Sequence, residues 1–105
     1  MVDDVIEQAV KRLVESFHSL KIILFGSHAR GTADSHSDFD FLVICPAVTN
    51  RRKMMVEMDR SLVGLGLARV IIVLTEQEYE RDRHIPGTVA RPAFLEGRVL
   101  YERPH

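Results

Sequence analysis

Leu24-Phe25-Gly26-Ser27-His28-Ala29-Arg30-Gly31-Thr32-Ala33-Asp34-Ser35-His36-Ser37-Asp38-Phe39-Asp40-Phe41 decides how the rest of the chain is read. An apolar run enters a Gly-Ser turn, and after ten intervening residues a second apolar run opens with Asp-x-Asp. Side chains alternate along a strand, so Asp38 and Asp40 are expected on one side and Phe39 and Phe41 on the other. Two carboxylates one pleat apart, beside a turn that can present backbone N–H groups, suit a divalent metal carrying a phosphate. Gly26 admits a ligand approach or a backbone shape that a Cβ would obstruct. Alone, the two acids read as solvated turn residues; the Gly-Ser pair at this spacing favours the metal–phosphate reading.

Outward from that stretch, Ile22-Ile23-Leu24-Phe25 fits a strand buried on both faces. Phe39 to Cys45, stopped by Pro46, is a second strand. Upstream, Val5, Ile6, Val10, Leu13, Val14 and Phe17 form a helical stripe that Asp3 or Asp4 can cap. Downstream, Thr49 or Asn50 opens a helix with Met55, Met58, Leu62 and Leu65 on its apolar side, ended by Gly64 and Gly66. Arg51, Arg52 and Lys53 stand at its start, where the macrodipole disfavours cations. They read either as solvated surface or as contacts for a phosphate-bearing ligand or acidic partner. Val70 to Leu74 is β-branched and apolar throughout, which predicts a central third strand. Thr75-Glu76-Gln77-Glu78 matches a capping box opening a helix to about Arg83, broken by His84-Ile85-Pro86-Gly87. Val89 to Leu95 predicts a further short helix ended by Gly97, and Val99-Leu100-Tyr101 an edge strand.

The 105 residues, 46% hydrophobic and 28% charged, predict one globular domain over 1–105. A formal net charge of -1 gives no reason to expect general nucleic-acid binding. The lone Cys45 excludes an internal disulfide and is expected in the core, as are the methionines. No leader pattern and no apolar run approaching the roughly 20 residues of a membrane span is present, so a cytoplasmic protein is expected. His28 and His36 flank the central stretch without zinc-ligand spacing and are expected to face solvent.

Gly26-Ser27, the ten-residue interval, Asp38-Phe39-Asp40, and Ala29-Arg30-Gly31 inside it resemble the signature of the minimal nucleotidyltransferases. These form the small branch of the DNA polymerase β-like nucleotidyltransferase superfamily. The order of elements over roughly residues 3 to 75 is similar as well. The resemblance implies an α+β (mixed αβ) nucleotidyltransferase fold, a small mixed sheet with helices packed on it. It implies transfer of a nucleoside monophosphate, AMP by preference, from ATP or another NTP with pyrophosphate leaving. By that likeness Gly26 and Ser27 hold the triphosphate, and Asp38 and Asp40 are the catalytic Mg²⁺ ligands. Arg30, read on its own, either touches a phosphate or pairs with Asp34 or a neighbouring acid. Family members are often paired with a small helical HEPN-type protein as toxin–antitoxin modules, and some such antitoxins silence the partner by attaching AMP. A partner or another copy of the chain would supply acceptor specificity.

The superfamily usually carries a third carboxylate on the later strand. Alignment with Val70-Ile71-Ile72-Val73-Leu74 puts Val70, or Arg69 after a one-residue shift, in its place. Glu76 and Glu78 lie beyond the strand, and Asp34 and Asp59 are the substitutes the sequence offers. Two readings stand at this point: a Mg²⁺-dependent nucleotidyltransferase, or a nucleotide-binding, non-catalytic subunit of a HEPN-type complex.

Overall fold

Four apolar runs build the sheet. In the computed structural model, which describes residues 2–104, they are β1 (Lys21–Phe25), β2 (Phe39–Cys45), β3 (Arg69–Thr75) and β4 (Arg98–Glu102), ordered β3-β2-β1-β4. β2 runs antiparallel to β1 and parallel to β3, and β4 runs antiparallel to β1. With α1 (Val2–Phe17), α2 (Ser27–Arg30), α3 (Arg51–Ser61), α4 (Glu76–Asp82) and α5 (Ala90–Glu96), this is the α+β class the resemblance implied.

Alternation along the strands splits the core into two layers. Ile22, Leu24, Phe41, Val43, Cys45, Ile71 and Val73 pack with Leu13 of α1 and Met58 of α3. Ile23, Phe25, Leu42 and Ile44 pack on the other face with Tyr79 of α4 and Ala90 and Ala93 of α5. Helices on both faces explain why β1 and β2 are apolar at successive positions instead of alternating with polar residues. Gly97, which closes α5, touches the sheet so tightly that a Cβ there would overlap the Ala93 carbonyl oxygen and Ile23 Cγ2.

Several local expectations shift. β3 is an edge strand rather than a central one, and Val70 is 39% exposed. Its uniform apolarity comes from helices on its two faces, since both α3 and α4 contact it, and not from strands on both sides. α1 is already helical at Val2, so Asp3 and Asp4 lie inside the first turn, where the macrodipole favours acids, instead of capping it. Asn50, not Thr49, caps α3 by accepting the Lys53 N–H at 3.0 Å, and that helix ends at Ser61, before the two glycines. Arg51 reaches Glu78 at 2.5 Å and Lys53 reaches Glu57 at 4.0 Å, so two of the three cations have acidic partners within the chain. The Thr75–Glu78 capping box forms with both of its hydrogen bonds. Met54, Met55 and Met58 join the core; Met1 lies outside the described residues.

Candidate functional site

The Gly-Ser turn and the Asp-x-Asp segment meet because β1 and β2 are antiparallel neighbours. Phe25, the last residue of β1, stands opposite Asp40, the second residue of β2. The next residue is Gly26, with φ 75° and ψ -155°, and Asp40 closes directly over it. A Cβ at position 26 would overlap Asp40 Oδ2 and lie 3.1 Å from Asp40 Cγ. Glycine is therefore required twice, by the backbone angle and by the carboxylate above it.

α2 starts at Ser27, with the Ala29 and Arg30 N–H groups both bonded to the Gly26 carbonyl at 3.1 Å. The Ser27 and His28 N–H groups stand at the open start of this turn, where a helix has no backbone acceptor of its own. Asp38 lies just before β2 and is exposed, so the strict strand alternation used to place it begins only at Phe39. Its charge still reaches Asp40. Burial first, and then the Asp38 charge, push the Asp40 carboxyl above its ordinary value, while His28 and Arg30 pull it back. The two acids therefore act on each other at the mouth of the turn.

Among the described residues no group of three or more His, Cys, Asp or Glu converges to hold a metal. The donor set nevertheless fits Mg²⁺, which commonly takes one or two carboxylates and completes its shell with substrate phosphates and water. The glycine at position 26, which lets the Asp40 carboxylate lie directly against the turn, is consistent with that. Such a pair suits a metal arriving with a nucleotide better than one held by protein alone.

The two positions that the alignment offers for a third acid can now be placed by register. Val70 is the partner of Asp40 across the parallel β2–β3 pair, and Arg69 is the partner of Phe39. Arg69 turns away, donating to Asp59 Oδ1 at 2.9 Å and to the carbonyls of Asp59 and Leu67 at 2.7 and 2.8 Å. That engages Asp59. Asp34 is taken up inside its own loop, accepting from His36 N–H at 2.8 Å and Ser37 Oγ at 3.2 Å. Both substitute acids offered by the sequence are thus engaged with other partners.

Arg30 is held by Glu96 of α5 at 3.5 Å, an exposed pair, and not by Asp34. The partner is 66 residues away in sequence, so no local pattern could have named it. His28 departs further from expectation. It is half-buried, stacked on Phe39 with ring centroids 3.6 Å apart, and its Nε2 lies 3.1 Å from the Ser37 carbonyl oxygen. Its signal was present as an aromatic residue at the strand start, but the pairing crosses a loop. His36 is exposed, as expected.

The family model described as "Nucleotidyltransferase domain" matches residues 4–100. Two chains of Methanocaldococcus jannaschii, each carrying the name "putative protein adenylyltransferase", are similar in sequence. One is 33% identical over 101 residues, covering 90% of this chain and 97% of the other. The second is 39% identical over 81 residues, covering 69% of this chain and 55% of the other. A Sulfolobus solfataricus crystal structure, titled as that of a "putative nucleotidyltransferase", superposes with a TM-score of 0.67 at 24% identity, over 95% of this chain and 79% of that one. At that identity the likeness speaks for the fold alone. The family match spans the Gly-Ser turn, both acids, β1 to β3 and the start of β4, and the chain belongs to the nucleotidyltransferase domain family.

Proposed function

We propose that the protein transfers AMP from ATP to an acceptor hydroxyl on another protein, in a Mg²⁺-dependent reaction. The observation that carries this reading is the closure of Asp40 over Gly26, which puts a carboxylate against the turn that opens with Ser27. Gly26 and Ser27 bind the triphosphate through backbone N–H groups and the serine hydroxyl, and Arg30 adds a charge-assisted contact to a phosphate oxygen. Asp38 and Asp40 hold and orient the metal-bearing end of the nucleotide. Mg²⁺, when bound, offsets charge on the phosphates and the leaving group. The acceptor oxygen bonds to the α-phosphorus as the bond from that phosphorus to the bridging oxygen breaks, and pyrophosphate leaves. With Val70 beside Asp40, no carboxylate takes up the hydroxyl proton at that position, so the proton passes to water. The names of the M. jannaschii relatives support a protein acceptor. A HEPN-type helical protein, silenced by AMP attachment with this chain as antitoxin, is the acceptor we propose.

Val70 in the third acid's place favours a second reading, a nucleotide-binding subunit whose transfer is slow or absent. General acid–base assistance is worth about 10²–10⁴-fold, the scale of the loss to be expected. Incubation with labelled ATP, Mg²⁺ and the HEPN-type partner separates the two. Label on the partner that disappears in Asp38→Ala and Asp40→Ala establishes the enzyme. Partner binding without label, unaffected by those substitutions, establishes the subunit.

A further inference from the structure

We infer that His28 is a positioning residue that sets the spacing between the serine turn and the two acids; the inference rests on the nucleotide reading above. α2 is one turn of four residues and buries none of them. So short a helix does not hold its shape in water, because nucleation is unfavourable without tertiary support. Ala29 packs against the core and Arg30 pairs with Glu96, while His28 supplies the support that reaches the segment carrying the acids. Its ring stacks on Phe39 at 3.6 Å and 13°. Its Nε2 lies 3.1 Å from the Ser37 carbonyl oxygen, and because a carbonyl only accepts, Nε2 carries the proton and donates.

A single side chain thus grips the residues immediately before and after Asp38. Phe39 is in turn stacked on Phe41 at 6.5 Å, and Phe41 is fully buried, so the grip continues into the sheet. The intervening loop has bonds of its own, such as Ser37 N–H to the Asp34 carbonyl at 3.2 Å, but these shape the loop without tying it to α2. Thr32 N–H to the Ser27 carbonyl at 3.0 Å closes the helix and does not cross to the acids. His28 therefore couples the serine turn to the segment that carries Asp38.

The test measures affinity for a nonhydrolysable ATP analogue with Mg²⁺ by calorimetry, alongside Tm, for the wild type and for His28→Ala, His28→Phe and His28→Gln. His28→Ala is expected to weaken binding about tenfold or more with Tm little changed, since small misplacements in a preorganised site are costly. His28→Phe keeps the stack and is expected to recover most of the affinity, and His28→Gln, which keeps only a donor, to recover less. Unchanged affinity in His28→Ala overturns the inference, as does an affinity that simply follows Tm across the set. If His28→Ala does not fold, wild-type affinity in both His28→Phe and His28→Gln overturns it equally. A wild type that binds no analogue removes the nucleotide reading and this inference with it, whereas a binding wild type with unaffected variants removes the inference alone.

Discussion

Gly26 is the residue at which backbone geometry and site chemistry cannot be separated. Gly26→Ala places a Cβ into Asp40 Oδ2 and also imposes an L side chain on a φ of 75°. Strain of this kind costs about 1–3 kcal/mol. Urea unfolding should show a loss in that range, together with loss of Mg²⁺–nucleotide binding, because relief of the clash moves Asp40. Val70 poses the opposite question. It lies in register with Asp40 and is 39% exposed, so an acid there meets solvent rather than core. Val70→Asp should fold. In the labelled-ATP assay it should raise Mg²⁺-dependent transfer, by up to about 10²–10⁴-fold if proton removal limits the wild type. No gain, in a variant that still binds the nucleotide, would show that the missing acid is not what limits turnover.

Elements were legible in the sequence where the signal was local. The Thr75–Glu78 capping box, the strand ended by Pro46 and the Gly97 stop could all be read because their partners lie within a few residues of one another. β3 was misplaced because apolarity reports burial without saying what does the burying. Ile71 and Val73 are buried beneath helices, while Val70 stays exposed and one lateral edge of the strand pairs with nothing among the described residues. The Gly-Ser and Asp-x-Asp segments were legible as a motif, but their contact depends on the antiparallel β1–β2 register. The His28–Phe39 and Arg30–Glu96 contacts depend on tertiary packing alone. Glu78 carries a prediction at this scale, since it serves two elements, bonding Thr75 N–H at 2.9 Å and Arg51 at 2.5 Å. The backbone bond from Thr75, with Arg51 assisting, holds its carboxyl below the ordinary 4.5. A depressed carboxyl stabilises the fold fully above its unfolded value and loses that contribution as pH falls through the folded one. Tm measured against pH for the wild type and Glu78→Gln should therefore differ near neutrality and converge as the pH falls through and below the ordinary carboxyl range. Curves that stay parallel through that range would exclude the coupling.

At the scale of the whole molecule, the site lies where the sheet's middle strands end. β1 and β2 are the most deeply buried elements, with Ile22, Phe41, Leu42 and Val43 fully covered, and they deliver Gly26 and Asp40 to each other from opposite chain directions. Any ligand bridging the turn and the acids therefore links the ends of two strands whose other ends are fixed in the core, and binding should stabilise the entire fold rather than one loop. A ligand present at 100 times its Kd and bound only by the folded state contributes about 2.7 kcal/mol. For a chain of this size each kcal/mol corresponds to roughly 4–8 °C in Tm. Saturating Mg²⁺ with a nonhydrolysable ATP analogue should accordingly raise Tm by roughly 10–20 °C. Inorganic triphosphate with Mg²⁺ should give part of that shift, because the proposed contacts are to phosphates. Asp40→Ala should abolish both shifts while keeping its own melting transition. A wild-type shift that survives in Asp40→Ala would mean that the nucleotide binds away from the acids, and the reading of the Gly26–Asp40 contact as a phosphate site would fall while the architecture stood.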